Sequence, residues 1–299
     1  MIDLHIHSIY SDGTNSVDEI DKLCNKRGID TISICDHNTI AGLDDLSKQD
    51  IDFINGVEIY ALREKTKQFH MLGYDFDKDD PRLQSLMKEL ELRRIEFMKK
   101  KLKLIREKFS IDLDIENFSK SRMNDYDILL NLKGKESDER IDEVLRYIES
   151  LNLKPDRKVP YKTIIDTIRG AGGIPVLAHP GRIKCDDFDT LIKELVDNGL
   201  MGLEIYHSLH TKEDIERLKK VADKYNLVTS GGSDYHGYYV KDLFGNDVKL
   251  GEATILNVGA LIDHHVEIGY GCHILMGAVV RNKIKVEPLT RVESLSLVE

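Results

Sequence analysis

Alternation at the start of the chain is the pattern that most constrains its fold. Ile2, Leu4 and Ile6 interleave with Asp3, His5 and His7. A period of two predicts a strand with two imidazoles on one face and aliphatic side chains turned into a core on the other. Two histidines on one face can share a cation, because neutral imidazole is a good ligand for zinc, manganese or iron. Asp12-Gly13 opens a turn that can bring a carboxylate back over the strand end. The bland alternative is a strand edge with two unrelated histidines, and the rest of the chain decides between the two.

The same arrangement recurs along the sequence. Ser16-Val17-Asp18-Glu19 has the form of a helix start with a capping box, and the helix runs toward Gly28. Residues 30–35 read as a buried strand ending in Asp36-His37-Asn38, and 39–47 as a short helix. Residues 51–60 read as one strand holding Gly56-Val57-Glu58, and 68–74 as another holding His70. Residues 82–109 are helical with an apolar stripe, and 118–153 add further helices with a polar break near 133–138. Strands then return at 174–178, before His179-Pro180-Gly181-Arg182, at 202–206, before His207 and His210, and at 227–230, before Gly232-Ser233-Asp234-Tyr235-His236-Gly237. Short strands carrying polar clusters at their carboxyl ends, with helices between, predict parallel βα units and a site built at those ends.

Composition narrows the function. A hydrophobic share of 41% over 299 residues supplies a sizeable core. A net charge of −10 argues against a broad electrostatic grip on nucleic acid, though not against a local basic groove. No stretch approaches the roughly 18 apolar residues of a membrane span. There is no basic, then apolar, leader, and Cys24, Cys35, Cys185 and Cys272 form no CxxC pair. A reducing cytoplasm therefore fits. Cys35 precedes Asp36-His37, so a soft ligand is conceivable there, but a buried small hydrophobe is the better reading.

The candidate ligands are His5, His7, Asp12, His37, Glu58, His70, His179, Asp234 and His236. So many donors exceed one tetrahedral zinc and suit two or three ions with a bridging carboxylate. Arg182 can fork two phosphate oxygens. His207 or His210 can contact phosphate or protonate a leaving oxygen.

These motifs resemble the polymerase and histidinol phosphatase (PHP) family over roughly residues 1–251. The match lies in His5-Ile6-His7, Ser11-Asp12-Gly13, Asp36-His37-Asn38, Gly56-Val57-Glu58, His70-Met71-Leu72-Gly73, Ala178-His179-Pro180-Gly181 and Gly232-Ser233-Asp234-Tyr235-His236-Gly237. The likeness falls nearest the small phosphoesterases acting on nucleotides and short RNA or DNA ends. It implies a distorted (β/α)7 barrel (1–81 and 159–251) with a helical insertion (82–158) and a di- or trinuclear centre of manganese, zinc or iron. His5, His7, Glu58 and Asp234 would hold one ion, Asp12, His37 and His236 a second, and Glu58, His70 and His179 a third. The expected activity is phosphate-ester hydrolysis in which water bridging two cations loses a proton and attacks phosphorus.

Residues 252–299 change character. Leu256, Ile262, Ile268, Ile274, Val280, Val286 and Val292 recur every six residues, the period of a left-handed parallel β-helix. This tail resembles part of the hexapeptide-repeat sugar acetyltransferases that use acetyl-CoA, which points to His264 as a base and His273 as its companion. With about 45 residues and no sugar-binding half, the expectation is a packing or homo-oligomer role, or no role as a remnant of a fusion or frameshift, with acetyl transfer the alternative.

Overall fold

The computed structural model describes residues 1–63, 67–119, 123, 125–153, 156, 158–184 and 187–237, and beyond these only eight two-residue strands between 255 and 298. β1 (Ile2–Ile6) forms as its alternation requires, and both its faces are covered. Asp3, His5 and the following His7 are fully buried. On the aliphatic face Ile6 is fully buried in the main core, whereas Ile2 and Leu4 are half-buried. β1 runs parallel to β2 (Thr31–Ile34) on one side. On the other it meets the 234–235 segment, where Asp234 N–H donates to His5 O at 2.8 Å and His7 N–H to Tyr235 O at 2.8 Å. Flanked on both sides, the strand turns its polar face inward.

Between β1 and β2 lies α1 (Val17–Arg27), whose limits follow from its ends. Ser16 and Glu19 form the reciprocal capping box, and Gly28 closes the helix at φ 65. After α2 (Leu43–Leu46), shorter than the residues 39–47 expected, the run 51–60 proves to be two strands. β3 (Asp52–Phe53) completes a parallel sheet in the order β1-β2-β3, and β4 (Gly56–Arg63) enters a second sheet. Gly56 marks the change of sheet. A Cβ there would sit 2.0 Å from Ser33 Oγ and 2.7 Å from Cys35 Sγ, so only glycine lets β4 pass so close to β2.

The second sheet has β5 (Lys67–Tyr74) beside β4, then β7 (Ile174–Leu177), β8 (Gly202–His207) and β9 (Val228–Gly232). β6 (Val159–Pro160) lies on the outer side of β4. β4 and β5 are antiparallel, as are β5 and β7, while β7, β8 and β9 run parallel. The sequence reading of uniformly parallel βα units is thus corrected to a mixed α/β fold. His70 lies within a strand that returns directly on β4 rather than at the end of a crossover. The sheets are tied together by Tyr74 Oη donating to Leu4 O at 2.8 Å and by a bridge between His37 and Glu58.

Besides a small cluster of Cys35, Leu72, Tyr74, Val176 and Ala178, two large apolar cores are present among the described residues. The larger packs the strands against α1, α6 (Tyr161–Gly170), α7 (Phe188–Asp197) and α8 (Lys212–Tyr225). The smaller collects Met98, Leu102, Ile105, Phe118, Ile128, Leu132, Ile141, Val144 and Ile148 from α3 (Pro81–Phe109), α4 (Asp125–Leu132), α5 (Asp138–Ser150) and their connections. α3 belongs to both, with Leu83, Leu86, Met87 and Leu90 in the first and Met98 onward in the second. Its 29 residues make it about 43 Å long at 1.5 Å per residue.

The eight short strands are β10 (Ile255–Leu256), β11 (Leu261–Ile262), β12 (Glu267–Ile268), β13 (His273–Ile274), β14 (Val279–Val280), β15 (Lys285–Val286), β16 (Arg291–Val292) and β17 (Leu297–Val298). Each of β10 to β14 pairs in parallel with the strand three further on. Ile255 thus pairs with His273, and His273 with Arg291. The six-residue period seen in the sequence falls on the second residue of every strand. His264, Cys185 and Cys272 lie outside the described residues. Among those described, no helix is long and apolar enough to cross a membrane.

Candidate metal centre

All nine predicted ligands come together. β1 brings His5 and His7, the loop after β2 brings His37, β4 brings Glu58, β5 brings His70, and the segments after β7 and β9 bring His179, Asp234 and His236. Asp12 returns from the turn after β1. Gly13 permits that return, since a Cβ there would lie 2.3 Å from His7 O. His5 Nε2 and His7 Nε2 stand 3.1 Å apart. Both face Glu58 Oε2, at 3.4 and 3.3 Å, and Asp234 Oδ1, at 3.5 and 3.1 Å. The other nitrogen of His7 turns to a second cluster. There Asp12 lies 3.6 Å from His7 Nδ1, 3.6 Å from His37 Nε2 and 3.3 Å from His236 Nε2. A third gathers on Glu58 Oε1, with His70 Nδ1 at 2.9 Å and His179 Nε2 at 3.0 Å. His37 also closes on Glu58 and His70 as a compact donor set, so it reaches two clusters where the sequence reading gave it one.

The donors fit cations. Glu58 Oε2 and His37 Nδ1 are sealed from solvent 3.0 Å apart, and neither has a hydrogen-bond partner among the described residues. Buried polar atoms are rarely left so. His5 Nε2 and His7 Nε2 face each other at 3.1 Å, so in the neutral rings both lone pairs can turn to one cation. A cation set among these atoms would satisfy all of them.

The charges are strongly coupled. Burial alone would lower the pKa of His5, but Glu204, Glu58 and Asp234 outweigh it and hold the imidazole well above its usual range. Burial likewise opposes protonation of His7, and Asp234, Glu58 and Asp12 prevail, raising it to about 10. His37 goes the other way. Burial dominates Glu58 and Asp12 there and pushes it down to about 4. Burial would raise Glu58 and Asp234, yet the surrounding histidines hold both carboxylates well below their usual range.

Arg182, half-exposed at the rim, reaches Asp234 Oδ2 with Nη1 at 3.7 Å. His207 is buried, with Nε2 3.2 Å from the same oxygen and Nδ1 accepting the Leu209 N–H at 3.0 Å. His210 is spent on backbone. Its Nδ1 lies 2.8 Å from Ile205 O and its Nε2 accepts the Gly181 N–H at 3.1 Å. That leaves His210 no ring nitrogen for a substrate, so of the two histidines only His207 faces the cluster. Cys35 Sγ donates to Leu4 O, and burial pushes its thiol up to about 12, which suits a packed hydrophobe rather than a soft ligand.

Three buried carboxylates support the centre that were not among the expected site residues. Asp36 accepts from Ser8 N–H at 2.8 Å, Ser8 Oγ at 2.6 Å and Ser11 Oγ at 2.5 Å, fixing the turn that carries Asp12. Asp3 accepts from Ser233 N–H at 2.9 Å and Ser233 Oγ at 2.6 Å, fixing the approach to Asp234. Glu204 lies beneath His5 and His179. The available signal was a charged residue inside an otherwise apolar strand pattern, Gly-Leu-Glu-Ile-Tyr at 202–206. Three residues of the shell also hold positive φ, as five other non-glycine residues do elsewhere among those described. Asn38, His179 and Asp234 hold φ of 55, 29 and 56. Such conformations in non-glycine residues cost on the order of 1–3 kcal/mol each and persist only where the surroundings enforce them.

Comparison with known proteins gives a consistent result. The family model of the PHP domain matches residues 3–154. Among curated relatives, a phosphoribosyl 1,2-cyclic phosphate 1,2-diphosphodiesterase of Eggerthella lenta is 29% identical, with 79% of this chain and 94% of the relative covered. A 5'-3' exoribonuclease of Haemophilus influenzae is 27% identical, with 78% and 89% covered. A 3',5'-nucleoside bisphosphate phosphatase of Chromobacterium violaceum is 26% identical, with 79% and 87% covered. Among solved structures, a proposed metal-dependent phosphoesterase of Bifidobacterium adolescentis aligns at a TM-score of 0.66 and 26% identity, over 84% of this chain and 91% of that one.

Proposed function

The chain belongs to the PHP domain family and is a phosphoric ester hydrolase, and on that premise we propose that it hydrolyses a phosphate ester of a nucleotide or short oligonucleotide at a centre of two or three divalent cations. The observation that carries the reading is the convergence of His5 Nε2, His7 Nε2, Glu58 Oε2 and Asp234 Oδ1 in one buried cage. These four would hold one ion. Asp12, His37 and His236, with His7 Nδ1, would hold a second. Glu58, His70 and His179 would hold a third, with Glu58 shared. Manganese, zinc and iron all suit such a nitrogen and oxygen set. Divalent cations supply a lowered pKa for water and draw charge from a phosphoryl oxygen.

The chain's own residues supply the rest. Arg182 is placed to fork two oxygens of an entering phosphate. His207 accepts the Leu209 N–H on Nδ1, so its proton lies on Nε2 and is donated to Asp234 Oδ2, and it would pass to a leaving oxygen that displaces that contact. The relatives named above act on phosphates borne by ribose, which supports the nucleotide class. The catalytic unit is residues 1–81 and 159–251 on a distorted (β/α)7 barrel, and the helices of 82–158 wall the site and limit substrate length.

For residues 252–299, the pairing of each of β10 to β14 with the third strand on supports a left-handed β-helix of three strands per coil. Eight strands make fewer than three coils, at the lower limit for a repeat fold. A role in self-association therefore suits the tail better than acetyl transfer from acetyl-CoA.

The test is direct. Purified protein with Mn2+ should release phosphate from 3',5'-nucleoside bisphosphates or mononucleotides from 5'-phosphorylated oligoribonucleotides, and EDTA should stop it. Uptake of metal without hydrolysis of any phosphate ester would overturn the reading.

A further inference from the structure

Glu204 lies in the middle of β8 and has no solvent exposure. Burying a carboxylate is costly unless its oxygens are matched by donors. Both oxygens of Glu204 are matched, and by residues of the proposed centre. Oε1 lies 2.8 Å from His5 Nδ1, and Oε2 accepts the backbone N–H of His179 at 2.6 Å. His5 and His179 fall in different ion clusters, one on either side of Glu58. One carboxylate thus underlies two ligands.

Each contact does something specific. A carboxylate can only accept, so it selects the form of His5 that carries a proton on Nδ1 and leaves the Nε2 lone pair toward His7, Glu58 and Asp234. At His179 the contact holds a backbone at φ 29, a region that a histidine does not adopt unaided. Without that anchor the ring would be released from Glu58 Oε1. Glu204 also forms a donor set with His5 and His207 that resembles a further ion site. His207 argues against that use, because its nitrogens already serve the Leu209 N–H and Asp234.

We propose that Glu204 is a positioning residue that sets the metal affinity of the centre, by fixing the tautomer of His5 and the strained backbone of His179. The inference rests on the metal-centre reading above. Outer partners of this kind typically change metal affinity ten- to a hundredfold.

Glu204→Gln is the informative variant. Its amide oxygen can still accept the His179 N–H, but its NH2 would face His5 Nδ1 and favour the opposite tautomer, with the proton on Nε2. Mn2+ titration of the metal-stripped full-length protein should show binding weakened ten- to a hundredfold in Glu204→Gln, with an unchanged far-ultraviolet circular dichroism spectrum. In the Zn2+-loaded wild type, 1H–15N NMR should show a solvent-protected Nδ1–H on His5, assigned by its loss in His5→Gln. A folded Glu204→Gln with wild-type Mn2+ affinity would overturn the proposal, as would anomalous scattering from an ion on Glu204. Should Glu204→Gln fail to fold, the wild-type NMR spectrum still decides, because metal bound through His5 Nδ1 refutes it. A wild type that takes up no metal would defeat the centre itself, which is a separate outcome.

Discussion

The strand-end shell and the helices of residues 82–158 handle charge in opposite ways. In the helices, charged side chains mostly face solvent in i, i+3 and i, i+4 pairs such as Lys88–Glu91 and Arg93–Glu89, and the buried face is apolar apart from Lys101 and Asp127. Exposed pairs of that kind contribute little. In the shell the charged groups are the buried ones. His5, His7, Glu58 and Glu204 have no exposure, and the hydrophobic residues pack behind them. The helical part is an ordinary amphipathic solution that owes its stability to burial. The shell instead buries charge, which is costly unless every group is matched by a partner. The contrast separates a region built to be stable from one built to bind.

The largest test of that contrast is Glu58→Gln. Losing the carboxylate shared by two clusters should lower kcat with Mn2+ about a thousandfold or more, since several kcal/mol of transition-state stabilisation depend on the cations it holds. Thermal unfolding of the metal-free variant should fall as well, because the ionised carboxylate is paired with His70 and His179 and held well below its usual range by the surrounding histidines. A wild-type kcat in the folded variant would remove Glu58 from the centre.

The converse test is Ile105→Ala, at a fully buried position of the second core. It should cost about 2–5 kcal/mol and leave the Mn2+ stoichiometry, measured by elemental analysis, unchanged. Loss of metal together with stability would show that the two regions are not separable.

A gentler probe is pH. In the metal-free protein His7 is held at about 10, above its unfolded value near 6.5. Its contribution to stability is therefore full below about 6.5 and is lost as pH rises through about 10. Cations compete with the same protons, so Mn2+ binding should release protons and tighten by up to about tenfold per pH unit for each proton displaced in that window. Calorimetry in buffers of different ionisation enthalpy reads the release directly. Affinity independent of pH would place the cations elsewhere.

Much of the shell was legible because its candidate ligands obey simple rules. His5 and His7 alternate with aliphatics, His37, His179, Asp234 and His236 follow short strands, and Glu58 and His70 lie within strands. α1 was legible from Ser16, Glu19 and Gly28. The antiparallel return of β5 onto β4 was not. Residues 51–60 read as one apolar run, and only the proximity of Ser33 and Cys35 to Gly56 reveals why the chain changes sheet there. Glu204 was also hidden, since nothing local tells whether a charged residue in an apolar strand is buried with partners or exposed at an edge. Its partners are 199 and 25 residues away. His207 and His210 could not be ranked from the sequence either, because the distinction lies in which backbone groups each ring meets.

α3 is rooted in the main core as far as Leu90 and roofs the second core from about Ile95 onward. A single rigid rod joining two independently packed bodies is a natural splice point. A change of length or packing in the outer body would then leave the candidate ligands in register, because the rod is anchored on their side by Leu83, Leu86, Met87 and Leu90.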